Sequence, residues 1–513
     1  MAYQVPGQPI TIDELKAYLW GAATLLRGQI DASGYKEYIF PLLFFKRISD
    51  VYDEQYSTFL NDSGGDNEYA TLQMSDYPVQ IPEGAHWNDV RKASENVGQK
   101  LVEAFVRIEQ ANPPRRIGHR LVGGLNGIFG DKSGWTNKSK MPDSVIMSLI
   151  EHFSQRKLTM EACPADEMGL AYEYLVGQFA NDAGHTAQEF YTNRTVVTLM
   201  AEILQPKPYE SIYDPTCGTG GMLIKSLTYL KDKGEEWRSV RVYGQEVNTL
   251  TASIARMNLH LHGILDYSIA NDDTLARPAF IEGDHLQKFD VVLANPPYSI
   301  KTWDRVAFSN DIWGRNFLGT PPQGRADYAF FQHILASMKD DTGRCAILFP
   351  HGILGRNNEQ DIRENLVRKD VIDTIIGIGD NLFFNSAMPA CIVICRTRKN
   401  TQRKGKILFI NAKHLVTRKN AESFLEESHI KEIVTMYQNY SDVENVAKVV
   451  LLEDVKANDY RLNINLYAKG LKTASETSWQ EYSLEQLISI QKEQSIILHS
   501  EIDKFVALLK MNE

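Results

Sequence analysis

The feature that most constrains the fold of this chain is an apolar run that ends in two prolines. Residues 289–294 are followed directly by Asn295, Pro296, Pro297 and Tyr298. A short apolar run is typical of a strand buried on both faces of an α/β sheet, and proline cannot continue a ladder of hydrogen bonds. We therefore expect the tetrapeptide at the carboxyl end of a central strand, where open α/β sheets bind their ligands.

The tetrapeptide has the groups that are needed to hold a planar amine. The Asn295 side chain has an acceptor oxygen, and the conformation imposed on a residue before proline exposes its carbonyl group. The Asn295 oxygen and the Pro296 carbonyl can therefore accept both hydrogens of an exocyclic amine. Tyr298 can stack on the ring that carries this amine. Taken alone, the motif is as typical of a turn that ends a strand, so its interpretation depends on the rest of the chain.

A glycine-rich loop follows an earlier predicted strand. The strand at 211–213 leads into an acid and several glycines, and a helix is predicted at 222–230. Glycines let the backbone approach a ligand closely, and a helix start presents N–H groups. The loop lacks the Gly-Lys-Ser/Thr of a Walker loop, and its acid suits a cationic amine better than a pyrophosphate. The candidate ligand-binding residues of this loop are Asp214, Gly218, Thr219, Gly220 and Gly221.

Two more acids follow the next two predicted strands. Glu246 lies just after the strand at 240–244, and Asp273 lies just after the strand at 267–270. An acid at the first of these positions commonly accepts both ribose hydroxyls in doubly wound folds. Asp273 is placed to accept from an adenine amino group. Glu246 alone is more typical of a solvated loop, but the order of the acids along the chain with the glycine loop and the tetrapeptide is specific.

The pattern of elements divides the chain into three parts. Residues 1–165 are predicted to form a helical domain, and the pattern fits a dimerisation unit, a docking unit or a lid. Strands and helices alternate through 166–415, which predicts a doubly wound α/β domain with a mostly parallel sheet closed by a strand at 406–410. Residues 416–513 are predicted to be a helical tail for subunit assembly. Its apolar stripe over 483–509 either meets a helix of a partner or packs back on its own domain.

Composition limits the possible functions. The 513 residues carry a formal charge of −10, which is unfavourable for a protein that grips DNA alone, because phosphate contacts provide most non-specific affinity. A nucleic-acid substrate therefore requires a local basic surface or a partner, and arginines in the long loop at 299–326 suit the first. The five cysteines have no metal-binding spacing and are expected to be buried thiols, so no metal is predicted. No membrane span or signal pattern is present, and a cytoplasmic location is expected.

Assembled in this order, the motifs resemble those of the amino-methyltransferases that modify adenine N6 in DNA. The chain is most similar to the methylation subunits of type I restriction–modification systems, and the similarity covers nearly its whole length. Residues 20–50 resemble the helical amino-terminal domain of these subunits. Residues 188–192 resemble the segment that closes over the cofactor, although Asn193 stands where the family often has proline.

The resemblance implies a class I S-adenosylmethionine-dependent methyltransferase fold and a set of site residues. Those implied to bind S-adenosylmethionine are Glu189, Phe190, Tyr191, Thr192, Asn193, Arg194, Asp214, Gly218, Thr219, Gly220, Gly221, Glu246 and Asp273. The implied catalytic residues are Asn295, Pro296, Pro297 and Tyr298, and Phe384 is implied to lie near the target base.

We therefore predict methyl transfer to a flipped-out adenine of DNA. The resemblance implies a separate specificity subunit that reads the target sequence and binds two copies of this chain, and a restriction subunit that joins them. Three other planar amines remain alternative methyl acceptors: cytosine N4 in DNA, a base amine in RNA, and the side-chain amide of a protein glutamine. The helical domain argues against the last two. A catalytically silent assembly subunit is a further alternative, which intact Asn295 and Tyr298 disfavour.

Overall fold

The computed structural model describes residues 10–117, 120–182, 192–379, 382, 389–419 and 422–470. Several predicted features lie outside the described residues. These are the cofactor-segment residues Glu189, Phe190 and Tyr191, the target-base residue Phe384, and the apolar stripe at 483–509.

The amino-terminal part is helical, as its periodicity predicts. Its helices are α1 (Ile12–Leu26), α2 (Lys36–Asp62), α3 (Asn67–Ser75), α4 (Trp87–Arg91), α5 (Val97–Ala111), α6 (Ser133–Thr136), α7 (Asp143–Ser154) and α8 (Ala165–Asp182). A capping box begins α1, because Thr11 Oγ1 accepts from the Glu14 N–H while the Glu14 carboxylate accepts from the Thr11 N–H. A small hairpin of β1 (Arg115–Ile117) and β2 (Arg120–Val122) was not predicted.

The rest of the described chain is built on one sheet of nine strands. In chain order these are β3 (Ser211–Asp214), β4 (Arg241–Glu246), β5 (Tyr267–Asn271), β8 (Val291–Ala294), β9 (Arg344–Pro350), β10 (Ile372–Ile378), β11 (Ala390–Arg396), β12 (Lys406–Ala412) and β15 (Ala447–Leu451). Two short hairpins lie outside the sheet: β6 (Ile281–Glu282) with β7 (His285–Leu286), and β13 (Thr417–Lys419) with β14 (Glu422–Phe424). The strand order is β15-β12-β10-β11-β9-β8-β3-β4-β5.

The sheet is mostly parallel, which confirms the predicted arrangement. Of its eight neighbouring pairs, the five pairs β12–β10, β9–β8, β8–β3, β3–β4 and β4–β5 are parallel. The order reverses at β3, since β4 lies on one side of it and β8 on the other. Ligands of open α/β sheets bind at such a switch point, outside the carboxyl ends of the strands. Asp214 ends β3 and Asn295 follows β8, so the architecture places both at this point.

Helices cover both faces of the sheet. They are α9 (Arg194–Leu204), α10 (Gly221–Asp232), α11 (Thr249–Leu261), α12 (Arg305–Ser309), α13 (Asp327–Ala336), α14 (Gln360–Arg368), α15 (Glu427–Asn439) and α16 (Leu452–Ala457). In β9, Ala346 and Leu348 pack in the core with α9, α10, α11 and α15, whereas Ile347 and Phe349 pack in the core with α13 and α14. This alternation is the two-residue period of a strand buried on both faces.

The prediction that the strand at 406–410 closes the sheet is wrong. The edge strand is β15, which pairs antiparallel with β12 after the excursion through α15. The region expected to be helical from 416 therefore contributes a strand to the sheet, and the expected boundary at 415 cuts through the domain. This strand was not predicted because its residues are unevenly buried and it follows a charged helix.

The helical domain packs directly on the sheet domain. Ile254, Met257 and Leu261 of α11 belong to the same apolar core as α1, α2 and α8. All five cysteines are buried, as predicted. Among the described residues, no helix has the length and apolar content that crossing a membrane requires. The same part of the chain shows no group of three or more His, Cys, Asp or Glu side chains placed to hold a metal ion.

Candidate active site

Asn295 follows the last residue of β8 and presents its side-chain amide at the switch point. The Asn295 Nδ2 group donates to Thr192 Oγ1 at 3.1 Å, which joins two predicted motifs that are 103 residues apart. The Asn295 Oδ1 atom is buried and has no hydrogen-bond partner among the residues that the structure describes. A buried acceptor without a partner is unfavourable by roughly 1–3 kcal/mol. This oxygen is therefore a prepared acceptor for a donor that arrives with a ligand.

Tyr298 lies at the end of the tetrapeptide with its hydroxyl oxygen buried. Burial is the main cause that raises the pKa of Tyr298 far above its usual value, and the nearby Cys391 and Asp327 raise it further. The phenol is therefore neutral at any physiological pH. A phenol that stays neutral is not a general base.

The glycine loop connects β3 to α10 through two residues in the left-handed region. Gly218 has a φ of 52° and Gly220 a φ of 80°, conformations that other residues adopt only with strain. The loop is anchored from two sides: the Cys217 N–H donates to the Gln245 carbonyl at 2.9 Å, and Thr274 Oγ1 donates to the Pro215 carbonyl at 2.5 Å. The first turn of α10 therefore opens onto a preformed loop.

Two acids flank this loop. Asp214 is 2% exposed, and its Oδ1 accepts from the Thr216 N–H at 2.9 Å. Burial, followed by repulsion from Glu246, raises the pKa of the Asp214 carboxyl to about 7. The Glu246 carboxylate accepts from the Gly218 N–H at 3.1 Å and from the Asn248 N–H at 2.8 Å. The structure thus brings together the acids that the sequence placed at two strand ends.

Asp273, the third predicted acid, begins the turn after β5. Its Oδ1 accepts from the N–H groups of Leu275 at 2.8 Å and Ala276 at 3.1 Å, so part of its role is to cap this turn. The neighbouring Thr274 ties the turn to the glycine loop. Asp273 therefore lies on the same edge of the sheet as Asp214 and Glu246, on the strand beyond β4.

Of the predicted segment before the sheet, the described residues begin at Thr192. Asn193 caps α9, because its Oδ1 accepts from the Thr195 N–H at 3.0 Å, and its Nδ2 donates to the Ser423 carbonyl at 2.9 Å. Asn193 therefore serves as the cap of this helix. Arg194 forms an ion pair with Glu173 of α8 at 3.2 Å. A Cβ on Gly221 would lie 1.5 Å from the Arg194 guanidinium, so Gly221 makes room for this arginine.

The expectation that the arginines of the loop at 299–326 contact nucleic acid is wrong for Arg315. This side chain is 2% exposed and is paired with Asp311. It also donates to the carbonyls of Thr274 and Leu275, at 2.9 and 2.8 Å. Arg315 therefore fixes the turn that carries Asp273.

The raised pKa of Asp214 leads to a prediction about stability. A carboxyl whose pKa is raised by folding binds more protons in the folded chain than in the unfolded chain, from about pH 4 to about pH 7. The free energy of unfolding therefore falls as the pH rises through this window. Between pH 6 and pH 8, the wild type should lose about 1.4 kcal/mol more than the Asp214→Asn variant. Urea unfolding at both pH values measures this difference, and equal losses would contradict the prediction.

Comparison with known families decides which class of protein has this site. A family model described as N-6 DNA Methylase matches residues 164–476, more than half of the chain. The chain belongs to this family. A model described as the HsdM N-terminal domain matches residues 15–153 of the methylase. The predicted enzyme class, an adenine-specific DNA methyltransferase, is confirmed.

Curated relatives of the methylase are methylase subunits of type I restriction enzymes. The MjaVII methylase subunit of Methanocaldococcus jannaschii is 30% identical, over 98% of this chain and 85% of the relative. The HindI methylase subunit of Haemophilus influenzae is 27% identical, over 83% of this chain and 94% of the relative. The predicted resemblance to type I methylation subunits is confirmed.

Solved structures confirm the fold class. The methyltransferase subunit of a type I restriction-modification system from Streptococcus thermophilus superimposes with a TM-score of 0.74 at 28% identity, covering 89% of this chain and 100% of that chain. A modification subunit of a putative type I restriction enzyme from Vibrio vulnificus has a TM-score of 0.65 at 18% identity, covering 88% of this chain and 94% of that chain, which shows the shared fold.

Proposed function

We propose that this chain transfers a methyl group from S-adenosylmethionine to the N6 amine of adenine in DNA, as the modification subunit of a type I restriction–modification system. The observation that carries the proposal is the buried Oδ1 of Asn295, which lacks a partner among the described residues at the carboxyl end of β8. An exocyclic amine has the donor that this oxygen requires.

The acids around the glycine loop fit this cofactor. The pKa of Asp214 is raised by burial and by Glu246, so negative charge is concentrated at this edge of the sheet. A cationic amine would relieve this repulsion, and a pyrophosphate would increase it. We assign Asp214 and the loop residues Gly218, Thr219 and Gly220 to the cofactor amino acid, where the N–H groups at the start of α10 can bind its carboxylate.

The remaining cofactor residues are assigned by position. Glu246 would accept the ribose hydroxyls and Asp273 the adenine amine. Thr192 and Arg194 would close the site through their contacts with Asn295 and Glu173. Glu189, Phe190, Tyr191, Asn193 and Gly221 remain predicted cofactor residues. Bound S-adenosylmethionine supplies an electrophilic methyl group on a sulfonium.

The chain's own residues position the target nitrogen. An adenine inside a duplex cannot reach a pocket at strand ends, so it must be flipped out. Asn295 Oδ1 and the Pro296 carbonyl then accept its two amine hydrogens, and this draws electron density towards the nitrogen. Tyr298 stacks on the ring, Pro297 holds the turn, and Phe384 remains the predicted second contact to the base. Positioning and electrostatics provide the acceleration without a strong base.

Sequence recognition is assigned to a separate specificity subunit. A chain of charge −10 has little electrostatic affinity for DNA, and the curated relatives are subunits of multisubunit restriction enzymes. Two copies of this chain per specificity subunit, and a restriction subunit that joins them, complete the proposed assembly. An enzyme that modifies the cell's own DNA works where that DNA is, which places it in the cytoplasm.

A methylation assay tests the proposal. The purified chain, alone and together with a candidate specificity subunit, is incubated with DNA and labelled S-adenosylmethionine. The nucleosides are then separated to identify the modified base. We expect N6-methyladenine at one sequence, and only with the partner present. Sequence-specific methylation by the chain alone would reassign it as a stand-alone methyltransferase, and absence of methylation with the partner would contradict the proposed activity.

A further inference from the structure

The turn that follows Tyr298 has a strained backbone. Ser299 has a φ of 52°, in the left-handed region that side chains other than glycine rarely adopt. Its N–H donates to Asp327 Oδ1 at 2.9 Å. Asp327 is the first residue of α13 and lies 28 residues further along the chain. The conformation directly after the catalytic tetrapeptide is thus held by a distant carboxylate.

Asp327 is buried in a network of charged groups. The residue is 1% exposed, and its Oδ2 accepts from Arg356 Nη1 at 2.7 Å. Arg356 Nη2 and Arg325 Nη1 each donate to Ser299 Oγ at 3.3 Å. The buried Glu359 lies 3.5 Å from Arg356. Both the backbone and the side chain of Ser299 are therefore bound by this network.

The two hydrogen bonds of Asp327 require a side chain with two acceptor oxygens. One of its oxygens faces the strained N–H, and the other faces the guanidinium. Hydrogen bonds to an ionised acceptor are roughly twice as strong as those between neutral groups, which compensates for the left-handed backbone. An amide at this position has only one acceptor oxygen, so it can satisfy either Ser299 or Arg356 at these positions but not both.

We propose that Asp327 is a positioning residue of the methyl transfer reaction, which holds the turn at Ser299 and thereby the ring of Tyr298 over the target base. The assignment rests on the proposed function. Asp327 does not touch the base or the cofactor in this scheme; it acts through the backbone between 295 and 299. A displacement of about 1 Å in such a site can lower a rate by about 10²-fold.

The test compares Asp327→Asn with Asp290→Asn in the complete complex. Asp290 directly precedes β8, at the opposite end of the same strand, and its buried carboxylate accepts from the Ser211 N–H at 2.9 Å and from Lys339 Nζ at 2.9 Å. Both variants remove a buried carboxylate that holds the chain near one end of β8, Asp290 before the strand and Asp327 at the turn that follows the tetrapeptide. We expect Asp327→Asn to lower kcat by about 10²-fold with unchanged affinity for S-adenosylmethionine. Asp290→Asn should change stability without this loss of kcat. Equal kcat values for the two variants would overturn the proposal.

A second variant tests whether Asp327 acts by holding the left-handed turn at Ser299 and not only through its charge. Glycine adopts the left-handed conformation without strain. Adding Ser299→Gly to Asp327→Asn should therefore recover part of the lost kcat, whereas absence of recovery would show that the turn is not what Asp327 provides and would overturn the positioning role.

Crystal structures of the variants give a readout that does not depend on activity. In Asp327→Asn we expect Ser299 to leave the left-handed region and Tyr298 to move, and in Asp290→Asn we expect both to stay. An unchanged turn in Asp327→Asn overturns the inference even if the activity falls. Failure of the wild-type complex to methylate adenine overturns the proposed function instead, and the two failures are therefore distinguishable.

Discussion

Asn295→Ala should lower the rate of methyl transfer by about 10³-fold, the upper range for loss of one preorganised polar group in an active site. The variant removes the buried Oδ1 atom that would accept from the target amine. Affinity for S-adenosylmethionine should fall far less than the rate, because the described contact of the Asn295 side chain is one neutral hydrogen bond to Thr192 and does not involve the acids or the glycine loop. Calorimetry with the cofactor and a single-turnover methylation assay measure the two effects separately.

Two further variants make this result specific. Asn411→Ala is the matched control, since Asn411 is an asparagine near the end of a strand whose Oδ1 atom, like that of Asn295, is buried and lacks a partner among the described residues. It belongs to β12, four strands from β8, so its loss should affect stability and not methyl transfer. Asn295→Asp retains an acceptor oxygen and should retain part of the activity. Loss of cofactor binding in a folded Asn295→Ala variant would contradict the assignment.

Glu246→Ala should weaken the binding of S-adenosylmethionine by about 1.5–3 kcal/mol, the usual range for hydrogen bonds to a charged group. The structure adds a reason beyond the loss of contacts to ribose. The Glu246 carboxylate accepts from the Gly218 N–H, so the variant also releases the glycine loop. An ionised carboxylate has about four lone-pair positions, so Glu246 can accept from backbone N–H groups and from ribose hydroxyls at the same time.

The control for Glu246→Ala is Asp272→Ala. Asp272 follows β5 on the same edge of the sheet, and its carboxylate is paired with Arg277. Its replacement removes one negative charge near the site while the contact with the glycine loop is kept. Titration calorimetry should therefore show a large loss of affinity for Glu246→Ala and a small one for Asp272→Ala. If both variants bind the cofactor equally well, Glu246 only anchors backbone N–H groups and the ribose assignment is wrong.

Much of the candidate site was predictable because its signals are local. The strand before Asn295 and the loop from Asp214 to Gly220 are recognisable from a few consecutive residues each. The α1 capping box is likewise a pattern of four residues. Consecutive parallel strands with helical crossovers bring their carboxyl ends to one edge, so the predicted acids had to meet there.

Other features depend on contacts between distant segments. Thr192 meets Asn295, and Asp327 meets Ser299, across stretches of chain that carry no shared pattern. Arg315 looked like a residue for contact with nucleic acid, but the structure buries it beneath the turn that carries Asp273. Burial of a charged side chain depends on which partner it finds, and a partner in the tertiary structure has no fixed spacing.

The sequence by itself determined the fold class, the family and the strand ends where the chemistry lies, because strands, loops and motifs of this kind are set by neighbouring residues. Only the tertiary structure decided that β8 lies beside β3, that β15 extends the sheet past the predicted last strand, and that Asp327 holds Ser299. Strand order and side-chain partners arise from packing the whole chain around its cores, and that free energy belongs to no single segment.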